Sequence, residues 1–433
     1  MQTARIPPGL RVFRALAIAL SVVAAGAGCT PGSSGVRGGR DAIVYWRTLT
    51  GAAGDAQDAL VARYNATDPE LPVVSEFQGS YADLAAKIMT AAVAGRGPDV
   101  TQLGTFEIRE FARAGLLVDL RPFLTGPDGI DTSDWPGTML QAGEVDGGLY
   151  WLPFNVAVPV LYYNRDVFDA AGVAPPETWS DFFALCRQLT ERKGDGSASR
   201  AGVALWDITW PFVSMVWSEG GELTDRDYDA ISLNHPTVVD VMGKVQALVQ
   251  EGAATLPDKA SGGHRAAFLS GRAAMILDSP AAFTELTRDA TFEVGVAIYP
   301  AGAAGRVYAP GGGGIAMLSV CPEDRRAAAW AFMKSLLSPE SLADYAQRSG
   351  YLAFTDAARE AAADWLTDPR VQELHRALPY IRGDFSVTAA SPVRTAFDEA
   401  FHQIVIKGVD PKQALDAANA RAVEGMRRES AGR

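Results

Sequence analysis

Cysteine is nearly missing from this chain, with three in 433 residues, at Cys29, Cys186 and Cys321. So few thiols, so far apart, exclude a disulfide framework. Histidine is equally sparse. His235, His264, His375 and His402 are scattered and no cysteine accompanies them in a cluster, so no metal and no cofactor is expected. A GxSxG nucleophile motif is absent. Positive charge is in deficit, 39 Lys and Arg against 51 Asp and Glu, for a formal net charge of −12. Such a surface disfavours nucleic acid and anionic lipid as partners. Past the N-terminus no apolar run is long enough to cross a bilayer, and no internal repeat is visible.

What is present starts with an export signal. Arg5, Arg11 and Arg14 precede an apolar run from Leu16 to Ala25 and small residues up to Cys29. The segment from Thr30 to Gly39 is rich in Gly and Ser, which predicts a flexible leash. Cleavage before Cys29 leaves 405 residues (433 − 28) and, with the three arginines gone, a net charge of −15 (−12 − 3). That length suggests two or three domains on a scale of ~150 residues each. Hydrophobic residues at 48% fit a folded body.

Short β-rich runs alternate with amphipathic stretches. AIVYW, VVSEF and DVTQLG are separated by helices near Ala56–Tyr64, from Tyr81 and from Glu107. After the segment GLYWLPFNVAVPVLYYN come a helix from Trp179, strand-like AGVALW, a helix from Pro236 to Gln250, and the strands AAMILD and VGVAIY. This alternation predicts α/β lobes with largely parallel sheets. Thr178 and Asp181 have capping-box spacing. Ser338, Pro339 and Gly350 bracket one helix, and Ser391, Pro392 and Gly408 bracket another. Arg394 falls in the first turn of that second helix, where the dipole disfavours a cation, so its placement calls for another reason. Cys186, four residues after Phe182 and three before Leu189, is expected on a buried helix face, and Cys321 is expected to be buried after the run IAMLSV.

Six strings in order carry a family resemblance: IVYW from Ile43, AGRGPDV from Ala94, LPFNVAVPVLYYN from Leu152, FLSGRAAMILD from Phe268, GGGGIAML from Gly311 and SGYLAF from Ser349. Over almost the whole mature chain the sequence resembles the extracellular solute-binding proteins of carbohydrate-type ABC importers. PFNVAVPVLYYNRD, SGYLAFTDAA and SPVRTAFDEAF resemble most the members that bind sn-glycerol-3-phosphate and its diesters. VAAGAGC before the leash is similar to a bacterial lipobox, with Gly26 where a larger aliphatic residue is usual, and implies lipidation of Cys29. An ordinary secretory cut near Gly28 is the alternative.

The resemblance implies a two-lobed, type II periplasmic-binding-protein fold like that of maltose-binding protein, α/β throughout, with a hinge of crossing strands and a central cleft. It implies an N-terminal lobe of residues 41–155 and 312–355 and a C-terminal lobe of 156–311 and 356–427. Expected partners are a small polar solute, a permease and an ATPase, and the protein itself is expected to be a monomer. Ligand contacts are implied at Tyr81, Glu107, Ser279, Gly313, Gly314, Tyr351 and Arg394. Glu107 can accept two hydroxyl hydrogen bonds from a diol, and Arg394 offers a fork for phosphate. Gly311–Gly314 can bring backbone N–H donors close to a ligand, or can be a plain flexible connector. Trp206 and Trp210 offer flat faces for a glycerol chain, a cation or a sugar, although tryptophan is more often buried in a lobe. The run Asn155–Val158 lacks the serine usual in glycerophosphate binders, a loss of about 1 kcal/mol if a polar ligand group goes unpaired. A neutral mono- or oligosaccharide is therefore an alternative ligand. A secreted hydrolase is another reading, with Glu107 and Asp278 as the one carboxylate pair available to it, and a scaffolding lipoprotein is a third.

Overall fold

The computed structural model describes residues 41–105, 107–224, 230–257, 263–382 and 391–431. The signal, the leash and Cys29 lie outside the described residues. Five strands form the first sheet in the spatial order Val73–Phe77, Ile43–Arg47, Val100–Gly104, Gly311–Met317 and Leu152–Ala157. The first three are parallel, and the helices Gly51–Asn65 and Tyr81–Val93 connect them. Gly311–Met317 enters antiparallel to both of its neighbours.

The second sheet has the order Ala254–Thr255, Ala198–Ala204, Ala273–Asp278, Val160–Asn164 and Val294–Ile298, with Glu191–Arg192 paired to Ala198–Ala204. Ala273–Asp278 is parallel to Ala198–Ala204 and antiparallel to Val160–Asn164. Its sequence AAMILD is apolar without alternation because both faces of the strand are covered.

Three passages join the sheets. The chain leaves the first sheet at Ala157 and enters the second at Val160, then returns between Ile298 and Gly311. Leu352 bridges Val156, after which the helix Pro369–His375 packs by the second sheet, where the Ile298 N–H donates to Glu373 Oε1 at 3.2 Å. Two α/β lobes result, joined by short crossing segments.

Local chemistry accounts for the element ends. Ser80 and Asp83 form a capping box at Tyr81–Val93, and Thr178 and Asp181 form the expected one at Trp179–Gln188. Ser338 accepts from the Ser341 N–H, Pro339 opens the helix, and Gly350 closes it at φ +80°. The helix Ser391–Val405 ends three residues before Gly408, which has φ +69°.

Large side chains fill both lobes, each contributing about 1.5–3 kcal/mol on burial. Two buried indoles satisfy their N–H groups, Trp179 by donating to Ser218 Oγ at 2.6 Å and Trp151 by donating to the Leu103 carbonyl at 3.1 Å. Cys186 and Cys321 are buried free thiols, and burial pushes the Cys321 thiol up to about 12. Among the described residues no helix is long and apolar enough to cross a membrane.

Candidate functional site

Tyr81 is the first residue of its helix, so the Ser80–Asp83 capping box fixes where its ring starts. The ring is partly exposed while the hydroxyl turns inward, 3.3 Å from Gln102 Nε2 and 3.0 Å from the Asn155 amide. In one orientation the Asn155 oxygen accepts from Gln102 Nε2 at 2.8 Å while its nitrogen donates to the Tyr81 hydroxyl, and in the other its oxygen accepts from the Tyr81 hydroxyl and the Gly313 N–H at 3.0 and 3.2 Å while its nitrogen donates to the Gly313 carbonyl at 3.1 Å. Gln102 Oε1 in turn accepts from the Thr48 N–H at 2.9 Å. Burial holds the Tyr81 hydroxyl well above its ordinary pKa, so it is neutral and able to donate.

Tyr81 shares a cleft of about 710 Å³ with Tyr351 and Thr48 on one side and Trp206, Ser279 and Arg265 on the other. Burial also raises the Tyr351 hydroxyl pKa. The Ser279 N–H donates to Asp278 Oδ1 at 2.6 Å, and Ser279 Oγ caps the Ala281 N–H at 3.1 Å. Trp206 stacks on His264 with centroids 5.0 Å apart and planes 15° off parallel.

Glu107 begins the helix Ile108–Arg113 and is buried. Its carboxylate belongs with Tyr81: a Cβ added at Gly104 would lie 3.3 Å from Glu107 Oε2 and 3.4 Å from Tyr81 Cδ1. Among the described residues Oε2 has no hydrogen-bond partner. Burial pushes the Glu107 carboxyl up to about 7, against the pull of Arg394. Arg394 Nη1 comes from the other lobe to 3.8 Å from Glu107 Oε1. The cation in the first helical turn thus has a carboxylate from across the gap, and Asp398 lies one turn further along its own helix. The half-buried Asp398 carboxyl, its pKa raised by desolvation, accepts from Thr209 Oγ1 at 2.5 Å.

The glycine run differs from the expectation of an open loop with free N–H donors. Gly311–Met317 is an interior strand flanked on both sides. Gly312 has φ +86°, and a methyl group there would collide with the Asn155 carbonyl. At Gly313 it would meet the Tyr81 hydroxyl at 2.6 Å, and at Gly314 the Trp151 ring and the Leu152 carbonyl. Gly313 therefore packs beneath Tyr81, whereas Gly314 packs on the lobe core. Trp210 stands edge-on to Trp206, 6.2 Å between centroids, and its Nε1 donates to the Pro310 carbonyl at 3.0 Å.

Asp278, the partner that a hydrolase reading needs for Glu107, is otherwise engaged. It is fully buried and accepts from Arg265 Nε and Nη2 at 2.6 and 3.0 Å, with His264 Nε2 at 2.7 Å. Burial would raise its pKa, but the Arg265 charge and the bonds from both partners outweigh this and hold it below the carboxylate range. Asn155, Gln102 and Arg265 were missed in the sequence. An amide inside the apolar strand LPFNVA is the signal that points to Asn155, since a buried amide must be paired.

Residues 49–343 match the family model for bacterial extracellular solute-binding proteins, which is more than half of the chain. The chain belongs to this family. Like its relatives, this solute-binding protein is a substrate-binding component of ABC importers and works with permease and ATPase subunits. Members of the family bind their substrates without turning them over. The protein is 25% identical over 423 residues to the sn-glycerol-3-phosphate-binding periplasmic protein UgpB of Escherichia coli strain K12, covering 89% of this chain and 92% of that one. It superposes with a TM-score of 0.81 on UgpB from Mycobacterium tuberculosis in complex with glycerophosphocholine, at 24% identity over 90% of this chain and all of the other. The GacH receptor of Streptomyces glaucescens, solved unliganded and with acarbose, gives 0.77 at 22% identity, covering 89% and 98%. These solved structures share the two-lobed, maltose-binding-protein-like fold, and with periplasmic relatives the family is one of exported proteins.

Proposed function

We propose that this solute-binding protein captures sn-glycerol-3-phosphate or a glycerophosphodiester between its lobes and delivers it to the permease. The observation that carries the reading is the buried Glu107 carboxylate, whose Oε2 has no hydrogen-bond partner among the described residues and whose Oε1 lies 3.8 Å from the Arg394 guanidinium of the opposite lobe. A glycerol diol donates to a carboxylate, and a phosphate accepts from a guanidinium fork, so one small molecule can satisfy both. Tyr81 and Tyr351 add neutral hydroxyls, Ser279 adds one across the cleft away from the Glu107 and Arg394 pair, and Gly313 supports Tyr81. The Asn155 amide supplies polarity in the run that lacks the usual serine. The relatives named for sn-glycerol-3-phosphate point the same way.

In this reading the protein is an exported monomer tethered through a lipidated Cys29. Its lobes divide near Asn155, Gly312 and Thr355 and close around the ligand. Calorimetry of the purified protein with glycerol-3-phosphate, glycerophosphocholine, maltose and trehalose tests the ligand class. Saturable heats with the two phosphates alone support the proposal, and heats with the two sugars alone refute it.

A second reading, a neutral oligosaccharide, draws on the Trp206 indole in the cleft wall, a surface suited to a sugar ring. It predicts that Arg394 is replaceable and Trp206 is not.

A further inference from the structure

Arg265 occupies the cleft wall of the C-terminal lobe, and nothing in the sequence marked it. Its side chain is 21% exposed, enough to meet a ligand and too little to be a solvated surface group. A guanidinium has five N–H donors. Nε and one Nη2 proton go to the two oxygens of Asp278, and one Nη1 proton goes to Glu285 Oε2 at 2.7 Å. Among the described residues that leaves two donors on a group lining the chamber.

The charge around it selects what those donors take. Two guanidiniums, Arg265 and Arg288, face three carboxylates, Asp278, Glu285 and Asp289, so the cluster does not attract an anion, and a neutral oxygen is the acceptor that costs least to bring in. The surroundings are rigid. Asp278 holds Arg265 by two bonds and also holds His264, on which the Trp206 indole is stacked. Ser279, fixed through its own N–H to Asp278, keeps its hydroxyl proton for donation because Oγ accepts from Ala281. Neither Glu107 nor Arg394 lines this chamber, which meets their pair through Tyr81.

We propose that Arg265, with Trp206 and Ser279, forms a second subsite that recognises the uncharged, hydroxyl-bearing headgroup of a phosphodiester ligand. This deepens the glycerophosphodiester reading and rests on it. The two free N–H groups and Ser279 Oγ donate to headgroup hydroxyl oxygens while the Trp206 face covers the C–H surface. A choline headgroup offers no acceptor and leaves the Arg265 donors unpaired.

The test compares glycerophosphoglycerol with glycerophosphocholine on the full protein by calorimetry, with glycerol-3-phosphate as the ligand that has no headgroup. The wild type is expected to prefer the hydroxylated diester by about tenfold, the worth of one to two hydrogen bonds. Arg265→Lys, which keeps a cation beside Asp278 but removes the fork, is expected to cut that preference below about twofold. Its affinity for glycerol-3-phosphate is expected to stay within about twofold. If this variant does not fold, Ser279→Ala carries the test, with a preference lowered about threefold for one lost bond. Equal affinity for both diesters in the wild type, or an intact preference in Arg265→Lys, overturns the subsite. A parallel loss of glycerol-3-phosphate binding in that variant overturns it too, since Arg265 is then a support for the whole cleft. If none of the three phosphates binds the wild type, the ligand reading itself is wrong and the subsite falls with it.

Discussion

Arg394 Nη1 lies 3.8 Å from Glu107 Oε1, and the two side chains reach each other from different lobes. The pair is too long for a tight bridge and close enough for each charge to feel the other, so a ligand group that meets one lies beside the other. Glu107 must be ionised to accept from both hydroxyls of a diol with a full charge, and burial raises its pKa to about 7. Affinity for glycerophosphocholine, whose diester does not titrate here, should therefore rise with pH. Between pH 6 and pH 8 the ionised fraction grows about tenfold, and the association constant should follow. Glu107→Gln should flatten the profile, and affinity that falls with pH would show that the carboxylate is not an acceptor.

Stability should carry the same group with the opposite sense. Its folded pKa of about 7 lies above the ordinary 4.5, so the stability tied to neutral Glu107 is complete below pH 4.5 and is lost as pH rises through 7. His375 works against this. Burial depresses it from 6.5 to about 4, so its contribution is present above pH 6.5 and is lost as pH falls toward 4. The wild type should thus vary little between pH 4.5 and 7. Glu107→Gln should gain stability with rising pH over that range, and above pH 7 should exceed the wild type by on the order of 1–3 kcal/mol, read from urea unfolding. Equal stabilities above pH 7 would contradict the burial cost.

Asn155→Leu keeps the volume but removes the amide shared by Tyr81, Gln102 and the Gly313 peptide. Leaving these partners buried and unpaired should cost about 1–3 kcal/mol of stability. Ligand affinity should fall as well, because the Tyr81 hydroxyl loses its orientation. A variant as stable as the wild type would mean that water replaces the amide.

Gly313→Ala and Gly314→Ala should both cost stability and differ in their effect on binding. A methyl group at Gly313 presses on the Leu103 carbonyl and on the Tyr81 hydroxyl, both at 2.6 Å, so affinity should drop together with stability. At Gly314 it meets the Trp151 ring and the Leu152 carbonyl, an overpacked core that should lower stability by about 1–3 kcal/mol or more. Thermal melting and calorimetry on both variants check the contrast.

Much of the fold was legible where local chemistry decides it. Capping at Thr178 and Ser338, the stop at Gly350 and the apolar run AAMILD each act within a few residues and read directly. The strand at Gly311–Gly314 did not, because glycine has little strand preference. It is a strand because it pairs along both edges, and it is glycine because Trp210, Tyr81 and Trp151 occupy the space its side chains would take. The same limit applies to the site. Tyr81, Glu107 and Arg394 came from a family resemblance, and their proximity across the lobes is a property of the folded chain. Arg265 reads as an ordinary helix residue until Asp278, thirteen positions away, turns it into the cleft.

The most direct measurement is the calorimetric affinity of Arg394→Ala for glycerophosphocholine, beside its melting temperature. Loss of charged hydrogen bonds worth about 1.5–3 kcal/mol predicts binding weakened by about 10- to 100-fold, with melting little changed. Unchanged affinity in a folded variant would contradict a phosphate held by Arg394, and with it the proposed ligand.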